Sequence, residues 1–108
     1  MWADIEPAFV ERLIREGRHF GPSDRIAPGA TPNNCHGGSL DWATKRGGTV
    51  WSGFALSEDD DFWRVHSWAV DKKGLVVECT PCPRVAYFGV PIRTLHEMEI
   101  WAPSVVTR

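Results

Sequence analysis

Apolar and polar residues alternate in the middle of the chain in a pattern that predicts a two-stranded antiparallel hairpin. Its strands, over residues 62–70 and 75–80, are rich in aromatic and β-branched side chains. Between them, Asp71 to Gly74 have the composition of a tight turn, and a three-residue loop that ends in a left-handed glycine is a common way to close such a hairpin. This loop pairs Asp71 with Leu75, which fixes the register of the two strands.

The predicted register determines which side chains share a face of the hairpin. It makes His66 and Glu78 diagonal neighbours on one face, together with Trp68. Diagonal neighbours lie about 7–8 Å apart at the backbone, which lets a carboxylate reach an imidazole. A register shifted by one residue would place them on opposite faces. The pattern therefore predicts a hydrogen bond between His66 and Glu78.

The rest of the chain predicts an α+β fold, with N-terminal helices packed on an antiparallel β-sheet. The first helix is indicated by an apolar stripe at helical spacing, formed by Ile5, Phe9, Leu13 and Ile14. The pairs Glu11–Arg15 and Arg12–Glu16 are predicted to lie on its exposed face. The remaining predicted elements are an irregular segment over 17–34, a short helix from Ser39, as N-cap, to Arg46, strands over 49–57, 85–92 and 99–106, and a turn over 94–98.

The length and net charge of the chain limit the classes of protein to which it can belong. The chain of 108 residues is predicted to form a single domain spanning 1–108. Its formal net charge of −2, with no run of Lys and Arg, argues against a nucleic-acid partner. No apolar run approaches the roughly 20 residues that a membrane span requires. Because the N-terminus has no signal-peptide pattern, we expect a cytoplasmic protein; its oligomeric state stays open.

The cysteines supply the candidate nucleophile. Three cysteines cannot form a fully paired disulfide framework, so free thiols are expected. Cys35 precedes the predicted short helix, and the pKa of a thiol, ordinarily about 8.5, falls beside an imidazolium or a helix N-terminus. His66 would supply the imidazolium, and Glu78 would fix the orientation of its ring. The sequence therefore predicts a Cys35–His66–Glu78 catalytic triad.

Other residues near this predicted triad have candidate roles. Asn33 or Asn34, together with the backbone N–H of Cys35, would bind a developing oxyanion, and the sequence does not decide between the two. Trp68 would shield the Cys–His ion pair from water. His36 is adjacent to the nucleophile, but its side chain is expected to point elsewhere and to have a structural role.

These motifs resemble the transglutaminase-like branch of the papain-like cysteine enzymes. His66-Ser-Trp68-Ala-Val70 resembles the His-x-Trp strand of that family, and Val76-Val-Glu78-Cys-Thr-Pro81 resembles the acidic strand that follows. The order Cys, His, acid is also the order of the family. Similar small proteins, some of phage origin, carry segments like Asn34-Cys35-His36 and Tyr87-Phe-Gly-Val90. The resemblance covers roughly residues 33–90.

The resemblance implies a minimal papain/transglutaminase-like core and a thiol-dependent acyl transfer through an acyl-enzyme. The substrate would be a protein or peptide, and the reaction would be peptide hydrolysis, deamidation or transamidation. No cofactor and no metal are implied.

Two alternative functions use other features of the chain. The spacing Cys79-x-x-Cys82, with Cys35 and either His36 or His66, would supply four ligands for structural zinc. The second alternative is a protein-interaction module without catalysis, since one fold serves many functions.

Overall fold

The structure, a computed structural model, describes residues 7–32, 34–94 and 97. Within these ranges it has an α+β fold with two helices and one six-stranded sheet. In chain order the elements are α1 Pro7–Glu16, β1 Arg18–Phe20, β2 Arg25–Ile26, α2 Cys35–Arg46, β3 Thr49–Ser57, β4 Trp63–Val70, β5 Val76–Glu78 and β6 Arg84–Ile92. The order of strands across the sheet is β1-β6-β3-β4-β5-β2.

The sheet is mixed, whereas the sequence predicted a purely antiparallel one. β2 pairs with β5 in parallel, and the other neighbouring strands are antiparallel. The segment 17–34, predicted to be irregular, contains both edge strands, β1 and β2. These strands have only three and two residues and form through pairing with distant strands, which local composition cannot reveal.

The central hairpin has the predicted register. The N–H of Asp71 donates to the carbonyl of Leu75 at 2.9 Å, and Gly74 has a φ of +84°. Pairing continues through Val70–Val76 to Ala69–Val77 and then stops. The strand predicted over 49–57 is also found, and that predicted over 85–92 begins one residue earlier. The strand predicted over 99–106 lies outside the described residues, as does most of the turn over 94–98.

In α1, Phe9 and Leu13 are buried against the sheet as predicted. The prediction that Ile14 is a core residue is wrong, because Ile14 is 81% exposed. Successive helical residues point about 100° apart, so Ile14 lies off the stripe that Phe9 and Leu13 form. Ile5 lies outside the described residues.

The environment of Arg12 in α1 also differs from the prediction. It was predicted on the exposed face, but only 6% of it is exposed. Its Nη1 donates to the Glu97 carboxylate at 2.9 Å, and its Nη2 donates to the carbonyl of Pro91 at 3.0 Å. These partners lie 85 and 79 residues away in the chain, so no local pattern indicates them.

Helix α2 begins at Cys35, four residues before the predicted start. Ser39 is therefore inside the helix and not its N-cap; its Oγ donates to the carbonyl of Cys35 at 2.5 Å. Gly47 ends the helix in the left-handed conformation, and its N–H donates to the carbonyl of Ala43. The predicted end is thus confirmed, while the earlier start places Cys35 in the first turn, where backbone N–H groups have no partner within the helix.

Candidate active site

His66 and Glu78 form a buried pair on neighbouring strands. His66 Nε2 lies 2.8 Å from one carboxylate oxygen of Glu78 and 3.0 Å from the other. Glu78 is fully buried, and His66 is 4% exposed. The sequence predicted this contact from the register of the hairpin, and the structure confirms it.

The Glu78 carboxylate receives further hydrogen bonds that hold it in the ionised form. Thr80 donates to Oε2 from its N–H at 3.1 Å and from its Oγ1 at 2.7 Å. Tyr87 Oη donates to Oε1 at 2.6 Å. A buried carboxylate is energetically costly unless such donors surround it. These hydrogen bonds therefore stabilise the charged Glu78 carboxylate beside the imidazole.

Cys35 contacts the other side of the His66 ring. Its thiol lies close enough to the His66 side chain for their interaction to lower the pKa of the thiol. Because Nε2 faces Glu78, the ring nitrogen available to the sulfur is Nδ1. The backbone N–H of Ser67 also lowers the pKa of this thiol. That N–H is free for Cys35 because β5 pairs with β4 only from Ala69 onward. The structure thus brings the three predicted residues into one continuous chain of contacts.

The pKa shifts of His66 and Glu78 favour their charged forms. Burial alone lowers the pKa of His66, but hydrogen bonds to Cys35 and Glu78 and the negative charge of Glu78 outweigh burial and raise it. Burial alone raises the pKa of Glu78. The hydrogen bond and positive charge of His66, together with hydrogen bonds from Tyr87 and Thr80, outweigh burial and lower this pKa. Both shifts favour an imidazolium paired with a carboxylate.

The Cys35 thiol is shifted toward the thiolate. Burial raises its pKa, but the hydrogen bond and positive charge of His66, with the Ser67 N–H, more than offset burial and lower it. This shift favours the thiolate, which is the form of cysteine that acts as a nucleophile.

The contribution of Glu78 to stability is expected to depend on pH. Because its folded pKa is lowered, the contribution is complete above the unfolded value of about 4.3 and is lost as pH falls through the folded value. We expect the difference in unfolding free energy between wild type and Glu78→Gln to shrink as pH falls from 7 to 3. Urea denaturation at several pH values measures this difference, and a constant one would contradict the ionised state of Glu78.

Trp68 covers the His66 ring from within the sheet core. It is fully buried, and its ring stacks on that of His66 with centroids 6.4 Å apart and an interplanar angle of 19°. Gly89 leaves room for this ring, since a Cβ there would lie 2.6 Å from Cη2 of Trp68. The indole thus lies beside the imidazole in the buried core.

The predicted oxyanion residues lie just before the nucleophile. Asn34 is the N-cap residue of α2, yet its exposed side chain makes no capping hydrogen bond. Its carboxamide lies over Gly37, where a Cβ would approach Oδ1 to 2.6 Å. The Asn34 carboxamide is thus not used to cap the helix that it precedes. Asn33 lies outside the described residues.

His36 points away from the thiol chemistry, into the contact between α2 and the sheet. Its Nδ1 lies 3.5 Å from Ser67 Oγ, which in turn is 2.8 Å from Ser52 Oγ. Burial lowers the pKa of His36, which favours a neutral ring. Its contacts agree with the structural role that the sequence predicted.

Three groups that surround the predicted triad were not predicted: Thr80, Tyr87 and the N–H of Ser67. Thr80 could have been found, since it follows Glu78 by two residues and so shares its side of the chain. Tyr87 lies on β6, which is separated from β5 by β3 and β4, so only the sheet order places it beside Glu78. The Ser67 N–H is a backbone group, for which the sequence gives no signal.

Cys79 and Cys82, the Cys-x-x-Cys pair of the zinc alternative, lie in different environments. Cys79 is buried among Ala27, Trp42 and Val77, while Cys82 is exposed. Burial raises the pKa of Cys79 to about 11, which favours the thiol over the thiolate that binds zinc. Within residues 7–32, 34–94 and 97, no group of three or more His, Cys, Asp or Glu side chains is arranged to hold a metal ion.

The chain matches no protein-family profile, no curated protein and no solved structure. Neither of the helices in the described part of the chain is long and apolar enough to cross a membrane. The functional conclusion therefore depends on the geometry of the residues themselves.

Proposed function

We propose that this protein is a thiol-dependent acyl-transfer enzyme of the transglutaminase-like type, acting on a protein or peptide. The observation that supports this most directly is the chain of contacts from Cys35 through His66 to Glu78. A thiol whose pKa is lowered by an imidazole, and a buried carboxylate hydrogen-bonded to that imidazole, are the components that covalent acyl transfer requires.

The reaction begins when the Cys35 thiolate attacks an acyl carbonyl. The resulting oxyanion accepts hydrogen bonds from the Asn34 carboxamide and the backbone N–H of Cys35. As the tetrahedral intermediate collapses, the C–N bond breaks, and His66 gives the proton on Nδ1 to the leaving amine. A thioester on Cys35 and a neutral imidazole remain.

In the second half of the reaction, His66 takes a proton from the acceptor. Water as acceptor gives a carboxylic acid, so the net reaction is peptide hydrolysis or deamidation. An amine as acceptor gives a new amide, which is transamidation. In each case the thiolate and imidazolium are regenerated, and Glu78 keeps the ring oriented throughout.

The pH dependence of Cys35 alkylation tests this proposal. Iodoacetamide is expected to modify Cys35 well below pH 8, because His66 stabilises the thiolate. In His66→Gln, which retains a polar side chain, we expect the rate at pH 6.5 to fall at least about tenfold. Peptide mass spectrometry follows each cysteine separately, so the exposed Cys82 is the reference thiol in the same molecule.

A Cys35 rate that rises only near the ordinary thiol pKa of about 8.5, and is the same in His66→Gln, would exclude an activated nucleophile. Circular dichroism of the variant establishes that its fold is retained. Unchanged Cys82 rates establish that the reagent behaves alike in both proteins.

A further inference from the structure

A cavity of about 290 Å³ lies beside the first turn of α2, on the side that faces β5. One wall is the loop over 27–31, which follows β2, and the opposite wall is formed by α2, including Gly37, Gly38 and Asp41. Cys79 lines it from the end of β5. Of the residues that line the cavity, the function proposed above uses only Asn34.

The cavity is adjacent to the nucleophile along the chain. Asn34, the residue before Cys35, lines it, and the N–H of Gly38 donates to the Asn34 carbonyl at 2.9 Å. Glycine is a poor helix former, so two successive glycines in the first turn call for another explanation. Gly37 leaves space for the Asn34 carboxamide, and Gly38 packs on Cys79, whose carbonyl oxygen a Cβ would approach to 3.2 Å.

The loop wall is fixed to the strand that carries the catalytic carboxylate. The N–H of Ala27 donates to the carbonyl of Glu78 at 2.8 Å, and the N–H of Ala30 donates to the carbonyl of Ala27 at 3.2 Å. The position of the wall relative to Cys35 and His66 is thus set by the same strand that orients the imidazole.

The lining has one charge and otherwise apolar or neutral groups. Among the residues that the structure describes, Asp41 is the only charged one that lines the cavity. Its partner is Lys45 at 3.1 Å, in a pair that is more than 60% exposed on both sides, so the contact is weak and exchangeable. Pro28 and Trp42 provide apolar surface. An aliphatic stem with a cationic end complements this lining.

We propose that the cavity receives the side chain of a lysine or arginine residue that carries, or is next to, the acyl group attacked by Cys35. The proposal rests on the acyl transfer proposed above and names its substrate class: a basic peptide. The stem lies along the apolar wall, and the cation replaces Lys45 as the partner of Asp41.

Activated esters test the side-chain preference. The probes are the p-nitrophenyl esters of N-acetyl-lysine, N-acetyl-norleucine and N-acetyl-glutamate, and p-nitrophenyl acetate reports acylation without a side chain. We expect kcat/KM for the lysine ester to exceed that for the norleucine ester by about fivefold, which corresponds to the free energy of one exposed ion pair. The glutamate ester is expected to react most slowly. In Asp41→Asn the lysine and norleucine esters are expected to react equally.

A second variant tests the space itself. Ala30→Phe fills the cavity from its loop wall, so the lysine and norleucine esters should both react at least about tenfold more slowly, while p-nitrophenyl acetate is unaffected. Thr44→Phe is the matched control, because Thr44 is exposed on a different face of α2 and should leave all rates unchanged.

Each outcome decides between the two proposals. The cavity assignment would be overturned by equal rates for the lysine and glutamate esters, or by a lysine preference that survives Asp41→Asn. In either case, rapid acylation by p-nitrophenyl acetate would still support the acyl transfer. Failure of p-nitrophenyl acetate to acylate Cys35 would overturn both.

Discussion

Replacing Cys35 with alanine is expected to abolish acyl transfer while the fold is retained. In the proposed reaction the thioester forms on the Cys35 sulfur, so without that atom there is no covalent route, and the burst of p-nitrophenol should disappear. We expect the rate of acylation to fall by at least about 10⁴-fold, as for other removed nucleophiles. Stopped-flow absorbance measures the burst, and its amplitude should equal the concentration of wild-type protein.

The other two cysteines provide the controls for this variant. Cys82→Ala removes an exposed thiol and should keep the full burst, and Cys79→Ala removes a buried one on a separate packing cluster. Cys35 is half-buried against the core cluster that contains Phe9 and Leu13, so its loss should cost about 1 kcal/mol of stability. A burst that persisted in Cys35→Ala, or disappeared in Cys82→Ala, would assign the chemistry to a different thiol.

The hairpin and its pair of His66 and Glu78 could be predicted because local chemistry specifies them. A left-handed glycine at the end of a three-residue loop determines the register, and the two-residue period of a strand then determines which side chains meet. The contacts of Cys35 with His66 and with Ser67 depend on α2 packing beside β4, where β5 stops pairing. The sequence indicated the partners but not this packing.

The start of α2 was missed because local propensity and tertiary packing disagree there. Glycines at 37 and 38 disfavour a helix, so the prediction placed its start at Ser39. In the structure Gly38 packs on Cys79, and the Ser39 hydroxyl bonds to the carbonyl of Cys35. These contacts extend the helix by one turn and so place Cys35 at its beginning. Arg12 and the two edge strands were missed for a similar reason, since their partners are distant in the chain.

Glu78→Ala is expected to cost the most stability of any change at this site. It removes a fully buried carboxylate that accepts hydrogen bonds from His66, Thr80 and Tyr87, and it leaves those donors in an apolar core. Breaking a buried pair in this way destabilises by about 3–5 kcal/mol. For a domain of this size, the midpoint of thermal unfolding should fall by roughly 15–30 °C, as calorimetry would measure.

A graded series separates the effect of Glu78 on stability from its effect on chemistry. Tyr87→Phe removes one donor to the carboxylate and should cost about 1 kcal/mol with acylation changed only a few-fold. Glu78→Gln keeps the shape and the acceptor oxygen but not the charge, so the imidazolium loses its counter-ion and acylation should fall about 10²–10⁴-fold while the protein stays folded. Near-wild-type acylation in a folded Glu78→Gln protein would show that the buried carboxylate serves stability alone. If instead activity is lost in Glu78→Gln and kept in Tyr87→Phe, the charge beside His66 is what activates Cys35.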